Sequence, residues 1–283
     1  MSLGVLNNIS AIYAQNNLNQ TQMSLQNTLT QLSSGSRINS GADDAAGLAL
    51  ADGLHANVAA LTQSSQNASA GVGMLQTADG ALAQVTNLLN RAVTLATEAA
   101  NGTLNTSQVS SADQEYQNIL TEIGNIGSKT NYNGNAVFTA TAVNVFVSDG
   151  TASGASTFAE TVGTLTTASV GTTSGGGAGA DLTASPTLDS TTAAGILTTL
   201  TSAVQDVAYQ RGTIGANINQ LSAAANVANT QSVNLSSAEN NIRATNYGQA
   251  TSDMAKFKVL SQTGIAALSQ ANAVQQDVLK LLQ

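Results

Sequence analysis

Between residues 197 and 242 the apolar side chains recur at a spacing that only a long helix with a sustained partner explains. Stepping alternately by three and four, the chain reads Leu197, Leu200, Val204, Val207, Arg211, Ile214, Ile218, Leu221, Ala225, Ala228, Ser232, Leu235, Glu239 and Ile242, and eleven of these fourteen are apolar. A period of 3.5 residues is the coiled-coil signal. At 1.5 Å per residue such a helix is about 70 Å long, too long for a compact globule, so a rod is expected. The N-terminal half answers it with Leu61, Ser65, Ala68, Val72, Leu75, Asp79, Leu82, Thr86, Leu89, Val93 and Ala96, eight of them apolar. This second helix is expected to start near Asp43, whose carboxylate can cap free amides. Asn101-Gly102 supplies a left-handed stop. A third helix is expected over residues 107–128, carrying Tyr116, Ile119, Ile123 and Ile126. Antiparallel packing buries all three stripes.

The ends of the chain form a separate pair. Residues 3–33 carry Val5, Ile9, Ile12, Leu18, Leu25, Leu29 and Leu32 before Ser33-Ser34-Gly35 interrupts. Residues 256–282 step through Leu260, Gly264, Ala267, Ala271, Val274, Val278 and Leu281, flanked by Ile265, Leu268 and Leu282. The small residues of this seam let two backbones approach closely, but each alanine buries little area. The stripes are wider than one two-helix contact covers, so both ends are expected to need further copies of the chain.

Proline breaks a helix interior at about 3 kcal/mol, and the one proline, Pro186, lies in the middle third with a crowd of glycines from Gly150 to Gly179. There the period changes to two: Val143-Asn144-Val145-Phe146-Val147 alternates, and Asp149-Gly150 is a hairpin turn signal. The return strand is expected before residue 165. Residues 166–192 are nearly all Thr, Ser, Gly and Ala, and read as a solvent-facing loop or weak β element. The expected fold class is mainly α: a long antiparallel coiled-coil rod with a small β-hairpin and loop insert.

Composition narrows the function. No cysteine and a single histidine, His55, leave no thiol nucleophile, zinc knuckle or multi-histidine metal site. No cofactor and no enzyme activity are expected. Asp43-Asp44 is better read as helix-start capping than as an acid/base pair, and Gly175–Gly179 lacks the Lys-Ser/Thr ending of a phosphate loop. A net charge of −8 disfavours nucleic acid or an anionic membrane as partner. No run approaches the roughly 20 apolar residues of a membrane span, and Asn7, Asn8 and Ser10 break what could have been a signal-peptide core.

Several segments, at both ends and in order, carry a resemblance. They are Gln15-Asn16-Asn17-Leu18-Asn19, Leu32-Ser33-Ser34-Gly35, Arg37-Ile38-Asn39-Ser40, Asp43-Asp44-Ala45-Ala46-Gly47 and Asn133-Gly134. Toward the other end stand Asn234-Leu235-Ser236-Ser237-Ala238, Ile242, Tyr247, Met254, Gln270-Ala271-Asn272 and Val278-Leu279 followed by Leu281-Leu282. Over residues 1–140 and 195–283 the chain resembles bacterial flagellin, the filament subunit of the flagellum. The resemblance implies a secreted, extracellular helical homopolymer for swimming, exported unfolded without a cleaved signal. It implies an inner domain of residues 1–40 and 245–283 around the filament core, an outer rod of 41–140 and 190–244, and a surface insert of 141–189. Implied partners are the chain itself, an export chaperone, and the cap and hook-junction proteins. The runner-up within this class is the hook–filament junction protein, which shares such ends.

The self-assembly seam implied is Val5, Ile9, Ile12, Leu18, Leu25, Leu29 and Leu32 against Leu260, Ile265, Leu268, Ala271, Val274, Val278, Leu281 and Leu282. A surface for the vertebrate flagellin-sensing Toll-like receptor is implied at Arg91, Leu95 and Glu115. Val93 and Thr94 stand where that motif carries charge, which weakens it. Arg243, Ala244 and Asn246 replace the acidic residues common before Tyr247, and Gln275 and Gln283 replace a common proline and arginine. The Thr/Ser density of 151–192 by itself reads as solubility, and the resemblance adds O-glycosylation there.

Overall fold

A computed structural model describes residues 8–149, 157–173, 175–184 and 187–281, with side chains up to residue 276 in the last helix. Gly150 and Pro186 lie outside the described residues. Five helices are described: α1 (Ile9–Ser34), α2 (Ala45–Ala100), α3 (Thr106–Lys129), α4 (Ala193–Arg243) and α5 (Tyr247–Leu281). Between α3 and α4 lie three antiparallel two-stranded ribbons: β1 (Asn131–Tyr132) with β2 (Asn135–Ala136), β3 (Val143–Phe146) with β4 (Thr157–Glu160), and β5 (Val170–Thr172) with β6 (Ala178–Ala180). The chain is mainly α. It divides into two compact units, one of residues 1–56 and 234–283 and the other of residues 57–233.

The core lies in the second unit. Along α2 within this unit the buried positions are Leu61, Ser64, Ala68, Gly71, Met74, Leu75, Ala78, Leu82, Val85, Leu89, Ala92, Leu95, Ala96 and Ala99. The expected positions 61, 68, 75, 82, 89 and 96 are all there. The alternate set is displaced by one residue from the expected 65, 72, 79, 86 and 93, because a 3.5 repeat can take its step of three or its step of four first. Alanine, serine and glycine at 64, 71 and 78 give little hydrophobic signal to decide it. On α4, Leu200, Val207, Ile214, Leu221 and Ala228 are buried, joined by Ile196, Ala203 and Gln210 on the adjacent row.

Two of the polar residues that interrupt the expected stripes find each other. Arg211 donates to Asp79 through Nε at 2.7 Å and Nη2 at 3.3 Å. Both side chains are part-exposed, so the pair is worth at most about 1 kcal/mol. It does pin the register of two helices whose other contacts are interchangeable aliphatics.

Helix ends follow capping chemistry. Asp44, rather than the expected Asp43, caps α2: its Oδ1 accepts from Gly47 N at 2.8 Å. Asp43 instead accepts from Asn39 N, Ser40 N and the Ser40 hydroxyl, which bend the preceding loop and lower its pKa. Asn105 and Gln108 form a reciprocal capping box on α3. Asp189 opens α4, accepting from the backbone of Thr191 and Thr192 and from the Thr191 hydroxyl, bonds that hold its pKa down at about 2.

The Thr-rich insert is not the solvent loop that its composition suggests. Val162, Leu165, Val170, Leu182 and Leu188 are buried in the same core as the helices. Asp113 of α3 accepts from Leu188 N at 2.7 Å, and the Gln210 amide donates to Val162 O. Gly175 and Gly176 face open space, as a spacer does, but other glycines around the insert are contact points. A Cβ on Gly127 would sit 1.9 Å from Leu165 O, and one on Gly171, at φ +76°, 2.5 Å from Val207 N.

Glu160 of β4 is buried, with Oε2 accepting from Asn217 Nδ2 at 2.6 Å. Burial pushes its carboxyl above 4.5, and the Asn217 bond pulls it partly back. With the folded pKa raised, its stabilising contribution is complete below the unfolded value and is lost as pH rises through the folded value. Glu160→Gln keeps the acceptor for Asn217 and removes the buried charge. It is expected to raise the thermal midpoint at pH 7 by about 2–4 °C, the shift that 1 kcal/mol gives in a domain of this size. Near pH 4 the two proteins should melt together, and calorimetry across that range checks it.

Candidate assembly surface

Helices α1 and α5 run antiparallel, and their junction with α4 is stitched by main chain. Gly35 ends α1 in the left-handed region at φ +71°. Arg37 N donates to Arg243 O at 2.6 Å and Thr245 N to Gly35 O at 3.0 Å, forming an antiparallel bridge at Ser36 and Ala244. Arg37 Nη2 also donates to Ile242 O at 2.8 Å, placing a cation on the C-terminal carbonyls of α4. At the far end Asn8 caps α1 and donates to Ala271 O at 2.9 Å.

The seam between these helices is built from small and polar residues. On α1 the inward heptad is Ala11, Ala14, Leu18, Thr21, Leu25, Thr28 and Leu32. On α5 it is Ala250, Met254, Phe257, Ser261, Gly264, Leu268 and Ala271, and among the described side chains of the two helices only Thr28 and Ala250 are buried. Gly264 permits the close approach, since a Cβ there would meet Leu18 Cδ1 at 3.2 Å.

A second row of large aliphatic side chains points the other way. Ile9, Ile12, Met23 and Leu29 on α1 and Val259, Leu260, Ile265 and Val274 on α5 are 43–62% exposed. Of the expected seam residues, Leu18, Leu25, Leu32, Leu268 and Ala271 therefore face the other terminal helix. Ile9, Ile12, Leu29, Leu260, Ile265 and Val274 lie on the outer faces. Val5 and Leu282 lie outside the described residues, as do the side chains of Val278 and Leu281. The spacing missed Met23, Val259 and the start of α5 at Tyr247, nine residues before the expected 256. A second apolar row, offset from the first, is the signal for Met23 and Val259.

The expected receptor triad is divided. Arg91 clamps Glu115 through Nε at 2.6 Å and Nη2 at 2.9 Å, joining α2 to α3 at the surface. The Arg91 hydrogen bond holds the Glu115 carboxyl below its ordinary value. Leu95 is corrected: it is 2% exposed and belongs to the core. A leucine between small alanines on a helix facing two others is taken inward by packing.

His55 is exposed, with Nδ1 3.3 Å from Glu239 Oε2. Among the described residues no group of three His, Cys, Asp or Glu side chains could hold a metal ion, and no helix is long and apolar enough to cross a membrane.

A helix pair that keeps one row of leucines inward and leaves a second row of large aliphatic side chains uncovered defines the class: a subunit of a larger assembly. Two family models match, the bacterial flagellin N-terminal helical region over residues 5–142 and the C-terminal helical region over residues 197–282. The chain is 32% identical to the flagellar filament 33 kDa core protein of Treponema phagedenis, over 98% of both chains. It is 31% identical to flagellin FlaB2 of Treponema pallidum, again over 98% of both. The crystal structure of Bacillus cereus flagellin is 30% identical, with a TM-score of 0.47, covering 57% of this chain and 88% of that one. The chain belongs to the bacterial flagellin family and is a structural subunit of a flagellar filament.

Proposed function

We propose that polymerisation works here by completing an inside-out helix pair. The observation that carries this reading is the outward set Ile9, Ile12, Met23, Leu29, Val259, Leu260, Ile265 and Val274. Each large side chain is worth about 1.5–3 kcal/mol when fully buried, and copies of the same surface stacked along a helical lattice supply that burial. The seam within one subunit supplies far less, being Ala, Ser, Thr and Gly over most of its length. Helices with little tertiary burial are marginal in water, so α1 and α5 order fully only on incorporation. The resulting homopolymer is extracellular and serves swimming. It is exported by the flagellar route, with a chaperone, a cap and hook-junction proteins as transient partners, and has no enzymatic role. The inner domain of 1–40 and 245–283, the outer rod of 41–140 and 190–244 and the surface insert of 141–189 belong to this reading, as does weakened receptor recognition at Arg91 and Glu115.

Hydrogen exchange tests the coupling. In unpolymerised protein the amides of α1 and α5 are expected to exchange orders of magnitude faster than those of α2 and α4 around the second unit's core. In filaments they should become comparably protected. Full protection of α1 and α5 in dilute monomer would overturn it.

A further inference from the structure

Beside β3 a cleft of about 440 Å³ opens between α2, the β1–β2 hairpin and the outer edge of β3, within the range of small-molecule sites. Its floor is Gly71 and Met74 of α2, and its apolar walls are Tyr132, Val143 and Phe146. Val143 and Phe146 are each 38% exposed. The helix carries two glycines at this point, each at a cost of about 1 kcal/mol relative to alanine. A Cβ on Gly71 would lie 3.0 Å from Leu221 Cδ1 and Val145 Cγ2, and one on Gly73 3.0 Å from the Tyr132 hydroxyl, so these side chains would have to shift to admit it.

Three amides stand at the rim: Asn133, Asn135 and Asn144. Asn133 is the one non-glycine with positive φ among the described residues, at 51°, followed by Gly134 at 81°. This Asn-Gly hairpin turn holds Asn133 and Asn135 at the mouth. A fourth amide, Asn67, is occupied, donating to Phe146 O at 3.2 Å and accepting from Gln63 at 3.0 Å. Among the described residues the side chains of the three rim residues have no such internal bond.

Among the described residues no charged side chain lines the cleft. An ionic ligand would lose hydration there without a counter-charge, and a purely apolar one would strip water from the rim amides. A sugar ring meets both demands, since vicinal hydroxyls donate and accept as an amide does and the C–H face of the ring lies on an aromatic side chain. We infer that this cleft binds a neutral pyranose, with Phe146 and Tyr132 against the ring face and Asn133, Asn135 and Asn144 on its hydroxyls.

Saturation-transfer NMR on the full unpolymerised chain tests it. The probes are methyl glycosides of glucose, galactose and mannose, neutral gluco-oligosaccharides, and sulphated or uronic sugars as charged arms. Saturable binding of at least one neutral probe is expected, with transfer strongest to ring C–H protons and none to the charged arms. Response to simple glycosides identifies a free or terminal sugar as the source, and response to the oligomers alone identifies a polysaccharide chain. The double variant Asn135→Ala/Asn144→Ala removes two exposed side chains that hold nothing in the fold. It should weaken binding at least about tenfold, with an unchanged circular dichroism spectrum. Absence of saturable binding by every neutral probe up to tens of millimolar, stronger binding of the charged arms, or unaltered affinity in the double variant would overturn the inference.

Discussion

Ile265→Asp should leave the free subunit folded and abolish its polymerisation. Ile265 is 55% exposed on α5, and substitutions at exposed positions ordinarily change stability by no more than about 0.5 kcal/mol. In the proposed polymer the same position faces a neighbouring copy, where an unpaired carboxylate must be desolvated without a partner. That costs at least about 3 kcal/mol, raising the protein concentration needed for polymerisation more than about 100-fold. Sedimentation and electron microscopy of the variant, beside circular dichroism of the monomer, separate the two effects. Ile265→Val keeps the surface apolar and should still polymerise. Normal filaments from Ile265→Asp would remove this face from the interface, whatever happened to monomer stability.

The residues that sequence reasoning placed well are those whose neighbours lie on the same helix. Leu200, Val207, Ile214, Leu221 and Ala228 of α4 fall on the buried row because long aliphatics announce the phase of the repeat. In α2 half of the row is written in Ser64, Gly71, Ala78, Ala92 and Ala99, and a small residue does not show which way a heptad turns. The same ambiguity hides the orientation of the terminal helices. Spacing predicts a stripe on α1 and on α5, but which side faces the other helix depends on how closely Gly264 lets Leu18 approach. Burial of Val170, Leu182 and Leu188 was beyond local pattern altogether. Each stands alone among threonines, serines and glycines, and is drawn inward by contacts with distant elements such as Asp113 to Leu188 N and Gln210 to Val162 O. Leu95 shows the reverse error: a residue assigned by likeness to a surface is claimed by the core.

The contrast between the two kinds of leucine gives the second large effect. Leu82 is fully buried where α2 contributes to the core of the second unit. Leu82→Ala removes its transfer energy and leaves a cavity that the facing helices, held in register by Arg211 and Asp79, close only in part. The expected loss is about 2–5 kcal/mol, which lowers the midpoint of that unit by roughly 5–15 °C at about 2–4 °C per kcal/mol. Leu260→Ala deletes the same atoms from a side chain 43% exposed on α5, and should move the monomer midpoint by no more than about 2 °C. In filaments the order inverts. Leu260→Ala should lower the dissociation temperature, because on the proposed reading the polymer alone buries the rest of that side chain. Thermal melts of monomer and of filament for both variants form a four-way comparison. Equal monomer destabilisation by the two would mean that α5 already covers Leu260 within one chain, leaving no outward aliphatic face for a neighbour to complete.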